Sequence, residues 1–228
     1  MTEGDPPASG YLAPVREAVL AAALPHVPFD GWSDAVLQRA IQEAGVDAGL
    51  ALLAFPEGVR DLLDVFWAAH DTALVQEISL RNLHNLRLSE RVTGALKIYL
   101  ELLRPHREGV RRALAVQALP ANVPGALAQL YRTVDAIWCA AGDQSTDFNF
   151  YSKRAVLAAV VASIVTHWLG ESGTDADAMD AFIERRVANV LQFEKVKARL
   201  GALSRYMPSP APLLGRLAGR LSGARRWP

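Results

Sequence analysis

The sequence predicts an all-α protein. Leucine and alanine dominate, β-branched residues are few and scattered, and strand-like alternation never persists. A chain of 228 residues with 51% apolar content is long enough to bury a large core. Its formal net charge is zero, so charge alone supplies no affinity for nucleic acid. One cysteine excludes an internal disulfide.

Residues 1–10 are acidic and carry no apolar run or arginine; they read as a disordered leader rather than a targeting signal. Helix one is expected over Tyr11–His26, stopped by Phe29-Asp30-Gly31-Trp32. Ser33 caps a second helix ending at Gly45, and Asp47 caps a third, Ala48–Ala54. This head, residues 11–56, has the spacing of a helix-turn-helix. A DNA-reading third helix shows cationic or hydroxyl side chains to phosphates and base edges. The third helix here reads Ala-Gly-Leu-Ala-Leu-Leu-Ala, without a single base.

The body, residues 57–207, begins after the Phe55-Pro56-Glu57-Gly58 turn. Leu62, Leu63, Phe66, Ala69, Ala73 and Leu74 recur at helical spacing, and that helix is expected to run to about Leu86. A second covers Leu88–Leu103, with Val92, Leu96, Tyr99 and Leu103 inward. Pro105 opens a third. Pro120 to Pro124 is a break, and Leu127, Leu130, Val134, Ile137 and Trp138 mark the helix that ends at Gly142.

The central stretch follows, Trp138 to Arg154, a polar and aromatic turn that opens into an apolar helix. Ala155 to Gly170 carries no formal charge in sixteen residues. It is slightly short for a bilayer span and contains Ser163, Thr166 and His167, which favours a buried core helix. A long final body helix is expected from Asp177 to Tyr206.

The tail, residues 208–228, opens with Pro208, Pro210 and Pro212. Leu213, Leu214, Leu217 and Leu221 then share one helical face, with Arg216, Arg220, Arg225, Arg226 and Trp227 beside or beyond it. This pattern suits an interfacial helix; a loosely packed helix that closes the core is the alternative.

Catalytic signatures are missing. No H-x-x-x-H, P-loop, nucleophile elbow or dinucleotide fingerprint occurs, and no metal site is expected. Asp143 and Asp147 have the spacing of an acid/base pair, but turn residues of this type more simply cap helices. Trp138, Phe148, Phe150 and Tyr151 gather at one turn, either as a core plug or as anchors for a partner. Val156, Ala159, Val160, Ser163, Ile164 and His167, with Phe182, Val187 and Val190 from the next helix, are candidates to line a pocket for an apolar ligand.

The string Ala140-Ala141-Gly142-Asp143-Gln144-Ser145-Thr146-Asp147-Phe148-Asn149-Phe150-Tyr151-Ser152-Lys153-Arg154 strongly resembles the signature of the ubiquinone-biosynthesis lipid-binding accessory family. The opening Ala21 to Ser33 and the segment Ile183 to Val190 resemble it too. By this resemblance the fold is that of tetracycline-repressor-type regulators, without a role in transcription. A ligand-responsive DNA-binding repressor is the competing reading. The resemblance further implies a non-catalytic protein that holds an isoprenoid or quinone lipid and needs no other cofactor. Expected partners are the demethoxyubiquinone hydroxylase, an anionic membrane surface and a second copy of the chain. Trp138, Asp143, Asp147, Phe150 and Tyr151 would form the hydroxylase-facing patch, with Phe150 where the family usually has tryptophan. Read as an alphaproteobacterial-type member, the protein is expected in a bacterial cytoplasm, on the inner face of the cytoplasmic membrane.

Overall fold

A computed structural model describes residues 8–142, 148–170 and 176–189 of the chain. The described residues are helical with turns between them. The head holds α1 (Ala8–Ala23), α2 (Val27–Asp30), α3 (Asp34–Glu43) and α4 (Ala48–Ala54). The body holds α5 (Val59–Leu80), α6 (Leu88–Leu103), α7 (Arg107–Gln117), α8 (Val123–Ala140) and α9 (Phe148–Gly170). Residues 176–189 are also helical.

The head follows its capping chemistry. Ser33 sits in extended backbone, and its hydroxyl accepts from the Val36 N–H at 3.3 Å. The Asp47 carboxylate accepts from the Gly49 and Leu50 N–H groups at 2.8 and 3.3 Å. Each cap satisfies donors that the first helical turn leaves unpaired. The first helix differs from the expected span. It starts at Ala8 and ends at Ala23, and a separate short helix covers Val27–Asp30, where Pro28 is accepted in a first turn. Likewise α5 stops at Leu80 rather than Leu86, because Asn82 takes a left-handed backbone (φ 53°) that no helix continues through.

Head and body are tied through Trp32. Its ring lies 5.0 Å from Phe66 of α5, and its buried Nε1 donates to the Gly109 carbonyl of α7 at 2.8 Å. Arg16 of α1 adds a bond from Nε to the Ala54 carbonyl at 2.9 Å. The core of the body is apolar: Leu62, Phe66, Leu74, Leu96, Leu103, Ile137, Leu157, Ile164 and Trp168 are almost fully buried. Ala69, expected inward, is exposed.

Helix α9 packs on α8 and lends one face to this core. By length and composition, Lys153–Gly170 is apolar enough to cross a membrane. Here Leu157, Val160, Val161, Ile164, Val165, Trp168 and Leu169 are instead packed inside the protein. Both ends of α9 are held by arginines. At the start, Arg154 is 2% exposed, and its Nε and Nη2 both donate to Asp135 Oδ1 of α8 at 2.6 Å. At the finish, Arg107 Nη2 donates to the Trp168 carbonyl at 2.8 Å and Arg111 Nη2 to the Leu169 carbonyl at 2.7 Å. These donors satisfy carbonyls that a helix C-terminus leaves free, and their charge suits the negative end of the helix dipole.

The Asp135–Arg154 ion pair makes a testable demand. Asp135→Ala removes a carboxylate that the buried Arg154 guanidinium donates to, which should cost about 1–3 kcal/mol. Thermal melting should fall by about 2–4 °C per kcal/mol in a chain of this size. Pairing it with Arg154→Met should recover part of the loss. An unchanged melting temperature for Asp135→Ala would show that the pair does not fix α9.

Candidate functional site

The candidate site is an apolar pocket of about 260 Å³ among the body helices, open to solvent, with exposed Leu127, Ala162 and Thr166 in its wall. Five helices build it. Trp67 comes from α5, Tyr99 from α6, Leu114 and Gln117 from α7, and Val123, Ala126, Leu127, Gln129 and Leu130 from α8. Helix α9 supplies Val161, Ala162, Val165 and Thr166. The small side chains of Ala126 and Ala162 leave the space that larger residues would fill. The volume lies just under the usual range for a small-molecule pocket.

Behind this wall runs a short polar chain. Gln129 Nε2 donates to Thr133 Oγ1 at 2.8 Å, and the Thr133 hydroxyl donates to Asp71 Oδ1 at 2.7 Å. Gln129 and Thr133 are buried. Burial raises the Asp71 carboxyl to about 6, against the opposing pull of the Thr133 hydroxyl and the Arg132 charge. Burial, with the nearby Asp71 carboxyl, also pushes the Tyr99 phenol up and keeps it neutral. Trp67 Nε1 is buried without a hydrogen-bond partner.

A second cluster surrounds Phe66. His70 and His106 have ring centroids 5.5 Å apart, and each packs on Phe66. His70 Nδ1 donates to the Phe66 carbonyl at 2.8 Å. Burial lowers both imidazoles, favouring their neutral forms. Among the described residues no group of His, Cys, Asp and Glu is arranged to hold a metal ion.

The residues expected at a pocket are distributed otherwise. Val160 and Ile164 are buried, Val156 and Ser163 half-buried, and Ala159 exposed; none of them lines this pocket. The pocket-facing residues Val161, Ala162, Val165 and Thr166 are each one or two positions away, on the adjacent face of α9. His167 stacks on Phe182 at 4.0 Å, and Val187 is buried; neither lines this pocket. Val190 lies outside the described residues.

In the aromatic turn, Trp138 is 3% exposed, and Lys153 Nζ lies 5.6 Å from its ring centre. Gly142 adopts φ +82°, and Arg91 Nη1 closes on this point, donating to the Ala141 carbonyl at 2.7 Å. A Cβ at residue 142 would come within 2.8 Å of that nitrogen, so both conformation and space require glycine. Asp143 and Asp147 lie outside the described residues; Phe150 and Tyr151 fall in the first turn of α9. The expected tail residues Leu213 to Trp227 also lie outside them.

On the head, α4 exposes Leu52 and Leu53 and partly Leu50. The helix in the reading position thus offers leucine to solvent instead of cations, which phosphate contact requires.

The COQ9 family model matches residues 123–194, which include α8, α9 and the helical residues 176–189. Over 215 residues the chain is 29% identical to the human "Ubiquinone biosynthesis protein COQ9, mitochondrial", covering 90% of this chain and 68% of the human protein. It is 28% identical to the rat protein of the same name over an equal length, covering 69% of it. A "Probable ubiquinone biosynthesis protein coq9, mitochondrial" from Dictyostelium discoideum is 26% identical over 185 residues, with 78% of this chain and 60% of that protein covered. Among solved structures, the TetR transcriptional regulator from Nitrosomonas europaea superposes with a TM-score of 0.62 at 17% identity, covering 78% of this chain and 99% of that one. That likeness concerns the fold alone. The expected bacterial cytoplasmic location is overturned, since these sequence relatives are mitochondrial proteins of eukaryotes.

Asp71 yields a pH-dependent expectation. Its folded pKa of about 6 lies above the ordinary 3.8, so its contribution to stability is fully present below about pH 4 and is lost as pH rises through 6. Asp71→Asn keeps the Thr133 bond without the charge. It should raise the melting temperature at pH 7.5, with the gain shrinking toward pH 4. A gain independent of pH would contradict the assignment of a buried carboxylate.

The match of the COQ9 model to residues 123–194 and the similarity along nine-tenths of the chain make this chain similar to the COQ9 proteins, on a fold like that of the TetR regulators.

Proposed function

We propose that this protein is a non-catalytic accessory protein of ubiquinone biosynthesis that holds an isoprenoid or quinone lipid in its helical body. The observation that carries the reading is the apolar pocket between α5 and α9, set within a chain whose relatives are named for ubiquinone biosynthesis. A pocket with aliphatic and aromatic walls favours a hydrocarbon chain, since each methylene taken out of water contributes about 0.8 kcal/mol. The family match over 123–194 includes both α8 and α9, which supply most of its lining.

The finer mechanism is physical. The basic, leucine-striped tail docks on anionic lipid, and the body shelters part of a prenyl chain. Trp138, Asp143, Asp147, Phe150 and Tyr151 are the residues that engage the demethoxyubiquinone hydroxylase, so that the quinone head meets it without crossing water. Phe150 retains an aromatic anchor there but supplies no indole N–H. A homodimer is the expected assembly. The repressor reading finds less support, because the exposed face of α4 is leucine.

Removal of residues 213–228 should weaken co-sedimentation with anionic liposomes while leaving neutral liposomes little affected; undiminished binding would exclude the tail as the anchor. Tyr151→Ala combined with Asp147→Lys should abolish capture of the purified hydroxylase, with helical content unchanged by circular dichroism. Capture at the wild-type level would remove the patch from the mechanism.

A further inference from the structure

A second cleft adjoins the apolar pocket. It measures about 200 Å³ and lies between the start of α5 and the turn from α7 to α8. Gln117 and Ala126 belong to the walls of both, so the two meet at a flexible amide chain and a methyl group. They differ in character. The pocket is mostly aliphatic and aromatic, whereas the cleft collects Glu57, Arg60, Asp64, Gln117 and Asn122 beside Leu63 and Val116.

These polar groups are incompletely engaged. Asn122 Nδ2 donates to the Val116 carbonyl at 2.9 Å, but its Oδ1 is buried with no hydrogen-bond partner among the described residues. An unpaired buried acceptor costs free energy until a donor reaches it. The Gln117 side chain has no partner among the described residues. Arg60 meets Glu57 only at 3.8 Å, with both side chains more than half exposed, so that pair holds neither firmly. Both cations here face a carboxylate, Arg60 that of Glu57 and Arg132 that of Asp64 at 3.0 Å. No surplus positive charge is left to hold a phosphate.

We infer that the cleft takes the polar head of an amphipathic ligand whose hydrocarbon tail lies in the apolar pocket, and that this head is a neutral, hydroxyl-bearing ring rather than a phosphate. The ring hydroxyl donates to Asn122 Oδ1, Gln117 and Arg60 donate to the ring oxygens, and Leu63 and Val116 give the ring an apolar seat. The inference rests on the lipid-binding reading and adds the ligand's orientation and the chemistry of its head.

The test is calorimetric titration of the full chain with three compounds that share a ten-carbon geranyl tail: a geranyl phenol, its methyl ether and geranyl diphosphate. A site built around a hydroxyl rejects the analogue that lacks one. The phenol should bind at least tenfold tighter than the ether and than the diphosphate. Gln117→Leu should bring phenol and ether within threefold of each other and leave the ether within threefold of its wild-type affinity. A Cβ at Gly125, in the cleft wall, meets no atom within 4 Å, so Gly125→Leu fills the cleft from a helical position that tolerates it. That variant should weaken the phenol at least tenfold with helical content unchanged. Equal affinity for phenol and ether, a tighter diphosphate, or a Gly125→Leu chain that binds the phenol as wild type does would each overturn the head site and leave lipid binding standing. A wild-type chain that binds none of the three would overturn the lipid-binding reading itself.

Discussion

The Asp135–Arg154 ion pair ties the start of α9 to α8. Helix α9 is apolar on every side, so hydrophobic burial alone would accept it at several rotations. Arg154 removes that freedom. Its guanidinium is buried and reaches Asp135 on α8 with two nitrogens. Turning α9 by one residue would pull the guanidinium away from Asp135, at a cost of about 1–3 kcal/mol. Arg107 and Arg111 hold the far end by its carbonyls. Between these contacts α9 lends Val161, Ala162, Val165 and Thr166 to the pocket wall.

The same arrangement joins the pocket to the aromatic turn. The Asp135–Arg154 bond links α8 to the first turns of α9, and Arg91 holds the end of α8 at Ala141. Trp138, Phe150 and Tyr151 lie on α8 and α9, the two helices that also supply most of the pocket lining. In the function proposed above, cargo and partner are read by opposite ends of one packed unit. The head contributes support: Trp32 anchors α7 to α5 through Gly109 and Phe66, while α4 carries no cation.

Local rules were legible in the sequence. Ser33 and Asp47 cap the helices they were expected to cap, and Val92, Leu96, Tyr99 and Leu103 are inward as their spacing requires. The absence of charge on α4 could be read directly. The pocket face of α9 could not, because an all-apolar helix carries no periodic signal for which side meets a cavity. Arg154 was hidden for a related reason: an arginine before an apolar run reads as a solvated flank, and its partner Asp135 lies 19 residues away. The Gln129–Thr133–Asp71 chain likewise needed the packing of α5 on α8 to exist. The location failed on different grounds, since neither composition nor packing specifies a compartment.

The central claim is that the body encloses a hydrocarbon chain and does no chemistry on it. Solvent extraction of the purified full-length protein followed by mass spectrometry of the extract measures this directly. The account predicts a prenylated quinone or quinone precursor retained in a fixed ratio to protein, and diminished when Ala162 is replaced by phenylalanine. An extract free of prenyl lipid, from a protein that also fails to take one up from vesicles, would contradict it.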